Sequence, residues 1–257
     1  MPTFRSNGLW IHFEQDGEPS WPTVLLVHGF ASSADDEWVA SGWVKAFREV
    51  KRRTVRLDVR GHGKSEKPRD PAAYSLDLLT ADVEEALRYA NARTVDLFGY
   101  SMGARISLAF LERKPQRLRS VILGGIGANV LAGLPENDAV IAALEATDPS
   151  KITSPVGRVF REFAQSRGND LRALAALRRG ARTNPNGEIL RHVKLPALVW
   201  AGSKDALVGD VAGLAALIPG ARTAVIPDAD HATGLSHPKS FETVLGFLAD
   251  VDRAQAR

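Results

Sequence analysis

Cysteine is absent from the 257 residues of the chain. Disulfide bonds, thiolate metal sites and a cysteine nucleophile are therefore excluded, and the composition fits a reducing compartment. Long apolar runs are also absent, since no run approaches the roughly 18 residues that a membrane span needs. The N-terminal residues 1–20 carry charges where a signal peptide has an apolar segment. We therefore predict a cytoplasmic protein without a membrane span.

An excess of charge of one sign is missing as well. The chain has 33 Lys and Arg residues against 30 Asp and Glu, a formal net charge of +3. A nucleic-acid partner requires a concentrated basic patch, which this near balance does not indicate. With 44% hydrophobic and 25% charged residues, the composition is that of an ordinary globular protein. We expect a small-molecule substrate and no nucleic-acid partner.

Short apolar runs alternate with longer helical patterns along the chain. The runs are continuous, which is typical of strands buried on both faces of a parallel sheet. They lie at 23–27, 54–59, 94–98, 120–123, 197–200 and 223–226. The helical patterns lie at 38–50, 76–90, 102–113, 211–217 and 240–251. This order predicts an α/β fold with a mostly parallel central sheet flanked by helices.

Two segments depart from this alternation. The segment Leu9 to Phe13, followed by the turn residues Asp16 and Gly17, predicts an N-terminal hairpin at the sheet edge. Residues 125–192 contain no convincing strand and instead show helical patterns separated by turn residues. These patterns lie at 139–146, 156–167 and 171–181. We therefore predict a core domain of residues 1–124 and 193–257, with residues 125–192 inserted between two core strands as a helical cap, or lid.

The sequence Gly99-Tyr-Ser-Met-Gly103 lies where a predicted strand ends and a predicted helix begins. A strained turn at such a point lifts the serine hydroxyl out of the sheet, and the two glycines allow neighbouring backbone to pack closely. The start of the helix adds amide N–H groups and the positive end of its dipole. Ser101 is therefore a candidate nucleophile, although Gly-x-Ser-x-Gly alone is only a moderate signal.

A serine nucleophile needs a base, and the base needs an acid to orient it. In α/β folds these residues follow one another in the order serine, acid, histidine. Of the six histidines, His231 follows the last predicted strand, with His237 as the fallback. Asp205 follows the strand at 197–200 and should reach the same sheet edge as Ser101. We assign Asp205 as the acid and His231 as the base.

Acyl transfer also needs N–H donors for the negative charge that develops on the carbonyl oxygen. One donor should be the amide of Met102, directly after the nucleophile. The other should come from the loop after the strand at 23–27, where Phe30 is our candidate. In that loop Gly29 permits the turn and His28 braces it. His28 as the base is the alternative, which its early place in the chain disfavours.

Together these motifs resemble the α/β-hydrolase superfamily, in particular its serine esterase and lactonase-like branch. The matching segments are HGF at 28–30, DVRGHGKS at 58–65, GYSMG at 99–103, GSKD at 202–205 and DADH at 228–231. The resemblance implies a triad of Ser101, Asp205 and His231, and no cofactor or metal. Epoxide hydrolases and haloalkane dehalogenases of this fold carry Asp where this chain has Ser101. In this superfamily substrate choice usually lies in the cap.

The segment DVRGHGKS at 58–65 can be mistaken for a phosphate-binding loop. Such a loop needs a glycine five residues before Gly63, and that position is Asp58. We instead expect His62 and Ser65 to shape the rim of the site, with Asp58 and Arg60 paired beneath it.

These residues favour a carboxylesterase-type serine hydrolase that cleaves an ester or lactone through an acyl-enzyme on Ser101. Two other functions stay open. The same triad serves carbon–carbon bond hydrolases and cofactor-free perhydrolases of this fold. A small-molecule sensor, which belongs to a different class, can also keep the fold and the triad and signal through movement of the cap, because fold does not determine function.

Overall fold

The computed structural model describes residues 2–133 and 136–256. Within these ranges eight strands form one sheet in the order β1-β2-β4-β3-β5-β6-β7-β8. The strands are β1 (Thr3–Ser6), β2 (Leu9–Asp16), β3 (Thr23–Val27), β4 (Arg53–Leu57), β5 (Val95–Tyr100), β6 (Leu118–Gly124), β7 (Ala197–Gly202) and β8 (Arg222–Ile226). Strands β3 to β8 pair in parallel, and only β1 with β2 and β2 with β4 are antiparallel. The predicted mostly parallel sheet is confirmed.

Helices cover both faces of this sheet. They are α1 (Trp43–Glu49), α2 (Leu76–Tyr89), α3 (Met102–Leu111), α4 (Asn129–Ala132), α5 (Asn137–Glu145), α6 (Pro155–Ser166), α7 (Leu171–Gly180), α8 (Gly187–Leu190), α9 (Val211–Ala215) and α10 (Pro238–Gln255). No helix in the described ranges is both long enough and apolar enough to cross a membrane.

The strand side chains divide between two hydrophobic cores. Leu25, Leu97 and Val121 belong to the core shared with α2 and α3, whereas their neighbours Phe98 and Ile122 belong to the core shared with α1 and α10. Successive strand residues point to opposite faces, so this division shows that both faces are covered. The continuous apolar runs in the sequence reflect that double burial.

Helices α4 to α8 all lie between β6 and β7 along the chain. The helical patterns predicted at 139–146, 156–167 and 171–181 correspond to α5, α6 and α7. Helix α5 packs against both α6 and α7, and α7 also packs against the helical turn Pro71–Tyr74 of the remaining chain. Helices α5, α6 and α7 therefore pack together, and α7 lies against the loop between β4 and α2.

Two local predictions were wrong. The edge hairpin joins β1 to β2 through Asn7 and Gly8, which both have positive φ, as a tight two-residue turn between strands requires; it does not turn at Asp16 and Gly17. The single helix predicted at 38–50 is instead a wide π-helical turn, Asp35–Val39, followed by α1. Gly42 separates them with a φ of 92°, a conformation that a continuous helix cannot contain.

Candidate active site

Ser101 occupies a strained turn between β5 and α3. Its φ of 53° and ψ of −115° lie in a region that L-residues rarely adopt, and such strain concentrates at functional sites. A Cβ at Gly103 would lie 1.9 Å from the carbonyl oxygen of Val27, and one at Gly99 would lie 2.3 Å from the carbonyl oxygen of Gly103. The turn therefore packs so closely on the end of β3 that neither position can carry a side chain without movement.

The structure brings Ser101, His231 and Asp205 together in one hydrogen-bonded chain. Ser101 Oγ lies 2.8 Å from His231 Nε2. His231 Nδ1 lies 2.7 Å from Asp205 Oδ2. The three residues follow β5, β8 and β7 respectively, so they meet at the carboxyl edge of the sheet because parallel strands end on the same side.

The environments of the three side chains differ. The Asp205 side chain is fully buried, whereas that of His231 is 28% exposed. The hydroxyl of Tyr100 donates a 2.8 Å hydrogen bond to the backbone carbonyl of His231, which anchors the histidine loop. The fallback His237 lies elsewhere, as the N-cap residue of α10, and accepts a hydrogen bond from the Lys239 amide. Ser101 and Asp205 are therefore bridged by His231 alone.

The candidate oxyanion donors flank Ser101. Phe30 follows Gly29, where an added Cβ would lie 3.3 Å from the Cβ of Ser101. Met102 is the first residue of α3, where an amide N–H has no partner within the helix. Neither amide donates a hydrogen bond to any residue in the described ranges. Both amides are thus without an acceptor in the described residues, as the donors of an oxyanion hole must be before substrate binds.

Two buried histidines brace the loop that carries Phe30. His28 Nε2 accepts a 3.0 Å hydrogen bond from the Val59 amide, and His62 Nε2 accepts one of 3.0 Å from the Ala31 amide. Burial lowers the pKa of His28 and lowers that of His62 to about 3. Both rings are therefore neutral and accept hydrogen bonds at neutral pH. The expectation that His62 lies at the rim was wrong, because its ring is fully buried beneath the loop, where it accepts the hydrogen bond from the Ala31 amide.

The rest of the segment at 58–65 also differs from expectation. Asp58 does not pair with Arg60; its carboxylate lies 2.9 Å from His12 Nδ1. Arg60 instead forms a buried ion pair with Asp82 of α2, at 2.6 Å. Ser65 is buried rather than at the rim, and its hydroxyl donates to the carbonyl oxygen of Asp58 at 2.6 Å. These groups fasten the loop to β2 and α2 because their partners come from distant parts of the chain.

Glu37 is a buried acid at the site that sequence reasoning missed. Its carboxyl accepts a 2.7 Å hydrogen bond from the amide of Gly29, directly before Phe30. Burial is the main influence on its pKa and raises it to about 8, although the hydrogen bond from Gly29 opposes the rise. No local pattern marks Glu37 in the sequence, because the contact depends on the π-helical turn 35–39.

The side chain of Phe30 points towards the inserted helices. Its ring centroid lies 5.8 Å from that of Phe160 on α6 and 5.3 Å from the guanidinium carbon of Arg178 on α7. Neither Phe160 nor Arg178 was among the site residues that the sequence predicted. Within residues 2–133 and 136–256, no group of three or more His, Asp or Glu side chains is arranged to hold a metal ion.

Comparisons with known proteins identify the family and the fold of the chain. The family model described as alpha/beta hydrolase fold matches residues 22–151. The chain is 30% identical over 255 residues to the dihydrolipoyllysine-residue acetyltransferase component of the acetoin cleaving system of Pseudomonas putida, covering 92% of this chain and 65% of the relative. Several other curated relatives are covered over about a third of their length. The chain thus spans less than two thirds of the length of each of these relatives.

Two further similarities extend over nearly the whole chain. The chain is 27% identical to the 2-hydroxy-6-oxononadienedioate/2-hydroxy-6-oxononatrienedioate hydrolase of Escherichia coli, covering 94% of this chain and 91% of that one. A crystal structure of a hydrolase from Pseudomonas aeruginosa superposes with a TM-score of 0.79 at 26% identity, covering 96% of this chain and 97% of the other. The fold is therefore similar to that of a solved hydrolase structure over nearly the whole chain.

Proposed function

Because the chain belongs to the alpha/beta hydrolase fold family, we propose that it is a serine hydrolase of the carboxylesterase class. The substrate is a carboxylic ester or lactone, cleaved through an acyl-enzyme on Ser101. The observation that carries this proposal is the continuous hydrogen-bonded chain of Ser101, His231 and Asp205, with links of 2.8 and 2.7 Å. An unassisted serine hydroxyl is a poor nucleophile at neutral pH, and this arrangement supplies the base it needs.

In the first half of the reaction, Ser101 Oγ attacks the ester carbonyl carbon while His231 Nε2 takes the hydroxyl proton. Asp205 accepts the Nδ1 hydrogen of His231, which holds the tautomer that leaves Nε2 free as a base and stabilises the imidazolium that forms. The carbon–oxygen bond to the alcohol then breaks. His231 returns the proton to the leaving oxygen, so the alcohol departs and the acyl group stays on Ser101.

In the second half, water attacks the acyl-enzyme and gives a proton to His231. The acid leaves, and the proton returns to Ser101 Oγ. In both halves the negative charge on the carbonyl oxygen is held by the amides of Phe30 and Met102. Removing one such donor in related chemistry costs about 10²–10³ in rate, so the loop that positions Phe30 contributes directly to catalysis.

We further propose that residues 125–192 act as a cap over this site. The contact of Phe30 with Phe160 and Arg178 supports the assignment, because it joins the candidate oxyanion loop to α6 and α7. Groups contributed by the inserted helices can then contact the substrate beyond its reacting carbonyl.

The first test is covalent labelling with a fluorophosphonate, followed by intact-mass spectrometry and peptide mapping. We expect one adduct on Ser101 in the wild-type protein and none in Ser101→Ala, because the reagent needs an activated hydroxyl. His231→Ala should also abolish labelling, whereas the matched control His237→Ala should label normally. Loss of kcat on an ester substrate should reach at least about 10⁴-fold in Ser101→Ala. Wild-type turnover in folded Ser101→Ala would remove this serine from the mechanism.

A second candidate reaction is hydrolysis of a carbon–carbon bond with the same triad. It is favoured by the full-length similarity to the 2-hydroxy-6-oxononadienedioate hydrolase of Escherichia coli. Comparing kcat/KM for a simple aryl ester with that for a vinylogous 1,5-diketone separates the two reactions. A strong preference for the diketone would replace the ester proposal.

A further inference from the structure

Arg178 is a buried cation beside the candidate active site. It lies on α7 and is 5% exposed. Its guanidinium carbon lies 5.3 Å from the ring centroid of Phe30 and 5.5 Å from that of Phe160. Phe30 carries one of the two candidate oxyanion amides, so the guanidinium lies beside a side chain of the candidate site.

Other buried arginines in the chain have partners for their guanidinium groups. Arg60 pairs with Asp82. Arg161 donates to three backbone carbonyls at the end of α5. Arg105, which lies four residues after Ser101, donates to the carbonyl oxygens of residues 181 and 183. Each of these three side chains therefore has a structural role that accounts for its burial.

Arg178 has no such partner in the part of the chain that the structure describes. None of its guanidinium nitrogens donates a hydrogen bond to a described residue. Its Nε is buried without an acceptor, as are those of Arg105 and Arg161, but each of those two arginines has a terminal nitrogen that donates to backbone carbonyls. No carboxylate in the described ranges forms an ion pair with it, and residues 1, 134, 135 and 257 carry no acidic side chain. The rings of Phe30 and Phe160, which contact each other edge to face, lie beside the guanidinium, and such rings stabilise a cation only in part.

The surroundings of Arg178 are positively charged. Burial, and to a lesser degree the nearby Arg105, lowers the pKa of Arg178 to about 10, so the side chain remains protonated at neutral pH. Burial of a charge without a counter-charge is unfavourable. The Arg178 guanidinium, which lies near Arg105 and faces no carboxylate in the described residues, is therefore a group that an anion would stabilise.

We propose that Arg178 binds a carboxylate group of the substrate, so that the preferred ester or lactone is one that carries a free carboxylate. The planar guanidinium matches a carboxylate with two parallel hydrogen bonds, which a lysine or a neutral donor cannot reproduce. Arg178 is then a specificity-determining residue contributed by the inserted helices. The proposal names the substrate class of the serine hydrolase proposed above, and rests on that function.

The kinetic test compares a carboxylate substrate with its neutral isostere. Monomethyl succinate, glutarate and adipate are each paired with the corresponding half-amide ester, and methanol release is measured. The wild-type protein should favour the carboxylate member of at least one pair. Arg178→Met should lower kcat/KM for that member by about 100-fold, because a buried ion pair loses its cation. On the half-amide, the same variant should change kcat/KM by less than about threefold.

Two further variants separate anion binding from a structural role. Arg178→Lys keeps the charge and should recover only part of the loss. Arg179→Met changes the neighbouring arginine, which is partly exposed and pairs with Glu145 of α5, and should leave kcat/KM for both substrates unaffected. Equal losses on both members of each pair in Arg178→Met, or no carboxylate preference in the wild-type protein, would overturn the proposal.

A binding measurement tests the anion site without turnover. In the Ser101→Ala protein, millimolar glutarate or adipate should raise the melting temperature, and the rise should vanish when Arg178→Met is added but persist with Arg179→Met. If the melting temperature rises in an Arg178-dependent way but the wild-type protein cleaves no ester, the anion site stands and the ester hydrolase is rejected. Ester turnover with no rise for any dicarboxylate would keep the hydrolase and reject the anion site.

Discussion

Glu37 shows how one buried side chain can couple the candidate oxyanion loop to pH. Its pKa is raised from an ordinary value of 4.5 to about 8, so the folded state holds a proton that the unfolded chain releases in this range. The stability that this group contributes is therefore complete below pH 4.5 and is lost as the pH rises towards 8. The limiting slope for one such group is about 1.4 kcal/mol per pH unit.

Glu37→Gln should remove this pH dependence while keeping the loop in place. The glutamine Oε1 can still accept the hydrogen bond from Gly29, but the side chain does not titrate. We expect the free energy of unfolding of the variant to fall less than that of the wild-type protein between pH 5 and 8, measured by urea denaturation at several pH values. Glu37→Leu, which removes the acceptor, should in addition lower kcat.

Comparing the wild-type protein with Glu37→Gln separates the effect of Glu37 on the pH dependence of stability from the effect of the buried histidines. The pKa values of His28 and His62 are lowered by burial, so their contribution to stability is present above about pH 6.5 and is lost as the pH falls. This opposite trend is the same in both proteins and cancels in their difference. Parallel stability curves for the wild-type protein and Glu37→Gln would show that Glu37 is ionised in the folded state.

At the scale of elements, the turn from β5 to α3 is defined by close backbone approach. The Cβ of an alanine at 103 would lie 1.9 Å from the carbonyl oxygen of Val27 and 2.8 Å from that of His28. These are backbone atoms of β3 and of the loop that leads to Phe30, and they cannot rotate away as a side chain can. The packing of α3 on the end of β3 is therefore intolerant of any side chain at Gly103.

Gly103→Ala should destabilise the protein by about 3 kcal/mol or more, because α3 must move away from β3. Gly246→Ala is the matched control, since position 246 lies in α10 and an added Cβ there meets no atom within 4 Å. That change should stabilise by about 0.5–1 kcal/mol through helix propensity. Urea denaturation of both variants checks the pair. Similar stabilities would mean that α3 has room to shift at little cost.

The elements also show where local patterns mislead. The sequence at 38–50 has continuous helical periodicity. In the structure, however, Gly42 separates two helical segments there, and the first of them is the π-helical turn 35–39. Wide turns of this kind are stabilised by tertiary contacts rather than by propensity. Here the contact is that of Glu37 with Gly29, which no local window of sequence contains.

At the scale of the whole molecule, a buried ionic cluster joins the C-terminal helix to the centre of the sheet. Asp96 of β5 is fully buried and pairs with Arg52 at 3.0 Å and with Arg119. Both arginines also bind Asp252 of α10, and Ser120 donates a 2.6 Å hydrogen bond to Asp96. The cluster links β5, β6 and α10, which are distant along the chain.

Asp96→Asn should lower the free energy of unfolding by about 3–5 kcal/mol, because the buried guanidinium groups of Arg52 and Arg119 lose the carboxylate that compensates their charge. The control is Asp252→Asn, which alters the same cluster at a side chain that is 44% exposed and should lose only about 1 kcal/mol or less. Urea denaturation measures both losses. A loss in Asp96→Asn as small as that in Asp252→Asn would show that solvent compensates the buried arginines.

The parallel sheet could be predicted from the sequence alone, together with the strands that Ser101, Asp205 and His231 follow. This was possible because buried parallel strands are continuous apolar runs, and because their carboxyl ends must meet at one edge. The pairing of Arg60 with Asp82 rather than with Asp58 is visible only in the folded structure. The same holds for the contact of Glu37 with Gly29, and for the position of Arg178 beside Phe30, where no carboxylate of the described residues pairs with it. The physical reason is that a buried charge takes its partner from whichever element packs against it, and that packing has no signature in local spacing.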